Sequence, residues 1–181
     1  QALLLLAQAA EMRGDVAGAE AWLAKVDSPR QAIEVQSRRA SLLMRQGKIK
    51  EARALIRAVP ERGADDARAK VLAEAQLLRD TKMWREAADV LAQAGERFAD
   101  DVDLLYEQAM LDEKLERYAD MERRLRRVIE LKPDHPHAHN ALGYSLADRN
   151  LRLPEARDRI RQALALAPGD PFITDSLGWV E

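Results

Sequence analysis

A repeat constrains this chain more than any other feature. A small residue within an apolar helical stretch recurs at Ala7, Ala40, Ala75, Ala109, Gly143 and Gly178, at spacings of 33, 35, 34, 34 and 35 residues. A second series keeps step with it: Ala19, Ala52, Ala87, Met121 and Ala156. Each of these is followed four residues later by Leu23, Ile56, Leu91, Leu125 or Ile160, and three further on by Val26, Val59, Ala94, Val128 or Ala163. Apolar residues at i, i+4 and i+7 form one stripe on an α-helix, so each period holds a second amphipathic helix after the first. Such a helical hairpin cannot bury its apolar face alone, and stacking on its neighbours supplies the core.

The chain breakers agree with this register. Gly14 and Gly47 fall where the first helices of the first two units should stop, as a left-handed C-terminal cap requires. Pro29, Pro136 and Pro171 stand at the first turn of a new unit and Pro154 at the first turn of a second helix, where a missing N–H costs no intrahelical bond. Pro133 and Pro168 close the second helices of units four and five. The register predicts five hairpins, at about 1–32, 33–67, 68–101, 102–135 and 136–170, and the first helix of a sixth from Pro171, in one solenoid over 1–181. Because the chain opens inside a helical pattern without Met and stops in mid-helix, it is expected to be a fragment of a longer protein.

Composition supports an all-α fold and excludes several functions. Charged residues make up 33% and apolar ones 47%, with only 4% aromatic, a balance of strong helix formers. Lys and Arg number 29 against 31 Asp and Glu, so the net charge of −2 offers no basic excess to hold a phosphate backbone, and nucleic acid is not an expected partner. The absence of cysteine excludes disulfides and thiolate chemistry but fits a reducing or an oxidising compartment equally. The opening apolar run is too short to span a bilayer.

All three histidines lie in the stretch HPHAHNALGYSLAD, at His135, His137 and His139. Ligands at i and i+2 of a helix point to different sides, and no HExxH pair accompanies them, so neither a metal nor any other cofactor is expected. Ser145 and Asp148 do not complete a nucleophilic triad, since no glycine elbow or oxyanion loop is present. The run RRLRR, with Arg123, Arg124, Arg126 and Arg127, falls on a second helix among acidic neighbours and reads as a solvated face. No residue is assigned a catalytic role, and the chain is not expected to be an enzyme.

A hairpin of about 34 residues with a small residue in its first helix, Ala-x-x-x-aliphatic-x-x-Ala in its second and a closing proline resembles the tetratricopeptide repeat. Unit five carries the resemblance best, with Leu142-Gly143, Glu155-Ala156, Ala163 and Pro168. It departs from the family pattern where His139 replaces Trp, Leu146 replaces Tyr and Ile160 an aromatic, and Glu74 and Gln108 replace the Leu before the small residue. The resemblance implies a right-handed superhelix whose first helices line a concave groove for another protein. The stretch HNALGYSLADRNLRLPEARDRIRQALALAPGDPFITDSLGWVE is also similar to the C-terminal repeats of bacterial outer-membrane lipoproteins of this family, one group of which are adaptors of a periplasmic carboxyl-terminal processing protease. That similarity implies a periplasmic adaptor anchored to the outer membrane by a lipid outside this segment, delivering substrates to the protease. A cytoplasmic location is the alternative.

Extending the register places Met44, Leu72, Gln76, Tyr106, Met110, His137, Asn140, Tyr144 and Trp179 on the groove as partner-binding residues, with Leu4, Gln8, Ser37 and Ser41 completing the lining. The Lys, Asn and Arg of the family's clamp for a peptide carboxylate are not found there. The expected lining is apolar, aromatic and amide-bearing, with Tyr106, Met110 and Tyr144 as its contact cluster. Met adapts to irregular apolar partners, and Tyr and Trp offer rigid area with a polar handle. A structural assembly factor acting through oligomerisation is the competing expectation. Self-association is expected through the last segment, where Phe172, Ile173, Leu177, Trp179 and Val180 have no second helix to cover them.

Overall fold

A computed structural model describes residues 2–181, and these form eleven α-helices and no strands. They are α1 (Ala2–Met12), α2 (Val16–Leu23), α3 (Ala32–Arg45), α4 (Ile49–Arg57), α5 (Ala64–Asp80), α6 (Trp84–Gly95), α7 (Val102–Lys114), α8 (Tyr118–Leu131), α9 (Pro136–Asp148), α10 (Leu153–Leu166) and α11 (Pro171–Val180). The helix pairs α1–α2, α3–α4, α7–α8 and α9–α10 pack as hairpins in the register of the repeat. The chain divides into two compact units within α6, one ending at Leu91 and one beginning at Ala92.

In the first unit α1 packs on α2, α3 on α4, and α3 also on α5. Ala7, Ala19 and Leu23 share one cluster with Val35 and Leu42, while Ala40, Ala52 and Ile56 share another with Leu77. In the second unit α7 packs on α8, α9 on α10, and α11 on both α9 and α10. Ala109, Met121, Leu125, Val128, Leu142 and Ala156 form its main core, and Ile160, Ala163 and Ile173 a second cluster beneath α11. All the repeating positions of the sequence except Val26 and Gly178 are buried.

Five turns between consecutive helices share one device. Gly14, Gly47, Lys82, Glu116 and Asn150 all have positive φ, from 53° to 75°. The following N–H reaches back to the first helix: Asp15 to the Ala10 oxygen at 2.9 Å, Lys48 to Leu43 at 3.0 Å, and Met83, Arg117 and Leu151 to Leu78, Asp112 and Leu146 at 2.8 Å. This is the six-to-one bond of a left-handed helix cap. Glycine announces it twice in the sequence, while Lys, Glu and Asn conceal it three times.

Three helices start on aspartate caps. The Asp15, Asp101 and Asp170 carboxylates accept backbone N–H groups of α2, α7 and α11. Two starts differ from expectation. Pro29 opens a 3-10 turn, Pro29–Gln31, and α3 begins only at Ala32. The first helix of the third hairpin begins at Ala64, ahead of the expected 68, because Asp65 and Asp66 place negative charge against its N-terminal dipole.

Gly143 marks a close approach of α9 to α10. A Cβ there would stand 2.7 Å from the Ala156 carbonyl oxygen and 2.7 Å from Ile160 Cγ1. At Gly178, its counterpart on α11, nothing lies within 4 Å of the same point.

Candidate functional site

The groove-facing residues separate by depth. Leu4 and Met44, expected on the groove, are both buried to 8% exposure and belong to the core. Met44 is one turn beyond Ala40, so it shares the stripe that α3 buries against Ile56 and Leu77. Leu4 precedes Ala7 on the buried face of α1 in the same way. Ser37 turns its hydroxyl back to the Ile33 carbonyl at 2.7 Å, Leu72 is half-buried, and Gln76 is exposed and donates to Asp80 Oδ1 at 2.6 Å.

In the second unit the remaining six lie on α7, α9 and α11. Tyr106 and Met110 pack half-buried against the main core, each with part of its surface left open. The Tyr106 ring stands 5.1 Å from that of His135, which joins α7 to the start of α9, and His135 in turn meets His137 edge-on at 6.4 Å. His137 is exposed. Asn140 is half-buried, and its Oδ1 is enclosed without a hydrogen-bond partner. One turn further on, exposed Tyr144 lines an open groove of about 720 Å³ with Pro171, Thr174, Asp175, Gly178 and Trp179.

Two of the three histidines, His135 and His139, have structural tasks. His135 caps α9 by accepting the Ala138 N–H on Nδ1 at 3.0 Å, so its ring is neutral with the proton on Nε2. Burial, and then the positive charges of Lys132 and His137, hold it below the usual histidine range. His139 is 1% exposed, and its Nε2 lies 2.7 Å from the Pro133 carbonyl, to which it donates. Among the described residues, no three His, Asp or Glu side chains gather as a metal site would require.

The arginine run departs in part from a solvated face. Arg123 pairs with Asp120 at 2.7 Å and Arg127 with Asp100 at 2.9 Å, both at the surface. Arg124 instead reaches back to α7, where it binds buried Asp112 and donates to Gln108 at 3.1 Å. Burial raises the Asp112 carboxyl above its usual range in spite of Arg124. Arg126 bridges Glu122 and Glu155, at 2.9 and 2.8 Å, and ties α8 to α10. Burial opposes ionisation of Glu122 too, but Arg126 and Arg152 together outweigh it and leave its carboxyl below the usual range.

Sequence reasoning missed Pro171, Thr174 and Asp175 as groove residues. The available signal was the i to i+4 relation of Asp175 to Trp179, which puts both on one face of α11. On that helix Ile173 is fully buried and Leu177 and Val180 pack on the core, while Phe172 and Trp179 stay 79% and 64% exposed.

Residues 106–171 match the tetratricopeptide repeat family. The chain is 36% identical over 175 residues to the TPR repeat-containing protein PA4667 of Pseudomonas aeruginosa, covering 97% of this chain and 30% of that protein's length. Among solved structures it is similar to MamA (17% identity, TM-score 0.61, 89% of this chain and 94% of the other). It is similar also to YrrB, described as a TPR protein with an unusual peptide-binding site (16% identity, TM-score 0.61, 96% and 89%). The first TPR domain of Spaghetti, solved with the HSP90 peptide SRMEEVD, matches at 17% identity and TM-score 0.57 over 61% of this chain and 86% of the other. Tetratricopeptide repeat proteins in general mediate protein–protein interaction. Residues 106–171 therefore match tetratricopeptide repeats, and the described residues have the helical-hairpin fold of the solved tetratricopeptide structures.

Proposed function

We propose that this chain is a non-enzymatic adaptor whose second unit holds another protein across α7, α9 and α11. The observation that carries this reading is the Tyr106–His135 contact, which sets the half-open Tyr106 and Met110 surface beside the start of the helix that presents Tyr144. Exposed aromatic area with a few polar groups is the composition of protein-binding hot spots. In its narrower form, the whole protein is a periplasmic adaptor, anchored to the outer membrane by lipid, that brings substrates to a carboxyl-terminal processing protease. The sequence similarity of residues 139–181 supports that form.

The test is affinity purification of the full-length protein from the cell envelope, with and without the triple substitution Tyr106→Ala, Met110→Ala, Tyr144→Ala. Loss of co-purifying proteins, with helical content and melting retained, supports the adaptor. Recovery of a protease among them supports the narrower form. Unchanged capture overturns the site. A second reading, assembly through self-association, is favoured by the exposed Phe172 and Trp179 of α11. Sedimentation that depends on concentration and is abolished by Phe172→Ser with Trp179→Ser would support it.

A further inference from the structure

The groove between α9 and α11 has a one-sided electrostatic character. Its lining combines two aromatic side chains, Tyr144 and Trp179, with Pro171, the Thr174 hydroxyl and a single carboxylate, Asp175, and it contains no cation. No hydrogen bond or ion pair of the described residues engages Asp175, and the Thr174 hydroxyl is occupied by the Asp170 carbonyl at 2.9 Å. Arg161 on neighbouring α10 is taken by Glu181 at 3.0 Å. The floor is open at Gly178, where even a Cβ would meet nothing within 4 Å.

We infer that this groove takes a basic side chain, best an arginine, from an extended segment of the bound protein. The inference rests on the adaptor reading and names the chemistry of its ligand. Asp175 would receive the guanidinium N–H groups as charge-assisted bonds. The Tyr144 and Trp179 rings would attract the same cation through their negative faces, and a guanidinium stacks on such rings better than an ammonium does. Pro171 and the open floor at Gly178 would accommodate the apolar stem and neighbouring backbone. An acidic ligand would meet Asp175 with no compensating cation in the lining.

The experiment follows the indole N–H of Trp179, separated from those of Trp22 and Trp84 by substitution, in two-dimensional NMR of this chain. The probes are short blocked Gly/Ser peptides with a central Leu-Arg-Leu, and the same peptides with citrulline or glutamate in place of arginine. The arginine peptide should shift Trp179 in a saturable, salt-sensitive way, and citrulline should weaken binding about tenfold or more, the loss of one charge-assisted contact. Asp175→Asn should reduce the arginine peptide to the citrulline level. Gly178→Leu should block binding while leaving the helical spectrum intact. Equal binding of arginine and citrulline peptides overturns the inference, as do stronger binding of the glutamate peptide, no response of Trp179 to the arginine peptide, or full binding in Asp175→Asn. A Trp179 shift that grows with protein concentration alone assigns the groove to a second copy and also overturns it. Asp175 and Gly178 are not part of the Tyr106–Met110–Tyr144 cluster, so partner capture that survives Asp175→Asn sinks this inference and leaves the adaptor reading standing.

Discussion

Gly143 lies so close to Ala156 that a Cβ on it would stand 2.7 Å from that residue's carbonyl oxygen, while the same atom on Gly178 would meet nothing. Alanine should therefore act in opposite directions at two positions the repeat treats as equivalent. Gly143→Ala must push α9 away from α10, an overpacking cost of about 1–3 kcal/mol. Gly178→Ala should stabilise α11 by up to about 1 kcal/mol, since alanine is the better helix former and nothing obstructs it. Urea unfolding of both variants checks this, and equal effects would count against the packing.

Lys82 and Glu116 hold the left-handed turn with side chains that disfavour it, at φ 58° and 57°. Glycine at either position should relieve strain of about 1 kcal/mol, less the entropy that glycine adds to the unfolded chain. A rise in melting temperature is expected for Lys82→Gly and for Glu116→Gly, whereas Gly47→Ala should lower it.

These turns show what the sequence could and could not reveal. The stripes Ala19–Leu23, Ala52–Ile56 and Ala156–Ile160 were legible because burial imposes a period on apolar residues, and all six are buried. The left-handed turns at Lys82 and Glu116 were not, because the backbone bonds of Met83 and Arg117 hold them whatever the side chain. On the groove, register gives the side of a helix and not the depth. Met44 lies on a first helix of the repeat, but α3 buries a wider face than one stripe, against α4 and α5 together. Asp175 escaped notice because a lone carboxylate on a charged chain carries no pattern until the fold sets Tyr144 beside it.

His135 should make the second unit sensitive to acid. Its folded pKa is depressed below the unfolded value of about 6.5, so the unfolded chain binds the proton more readily. The cap's contribution is complete above that value and is lost as pH falls through it towards the folded pKa. Protonation also removes the lone pair that accepts the Ala138 N–H. Melting temperature should fall between pH 7 and pH 5, more in the native chain than in His135→Asn, which retains a capping acceptor without titrating. His135→Ala should cost about 1 kcal/mol at neutral pH.

Glu74 stands where the repeat pattern favours leucine, and it is buried at the focus of two arginines. Arg53 Nε donates to its Oε1 at 2.7 Å, and Arg57 Nε reaches both oxygens, at 2.9 and 3.0 Å. The hydrogen bond to Glu74 leads the causes that raise the Arg57 guanidinium pKa further. Breaking such a cluster and replacing it differ in energy, because a lone remaining charge loses its partner while an apolar pair needs none. Glu74→Leu alone should destabilise the first unit by about 1–3 kcal/mol, moderated by the exposure of Arg57. Adding Arg53→Met should recover most of that loss, since Arg57 can turn to solvent. If the double variant is no more stable than Glu74→Leu in urea unfolding, the carboxylate is needed for packing rather than for pairing.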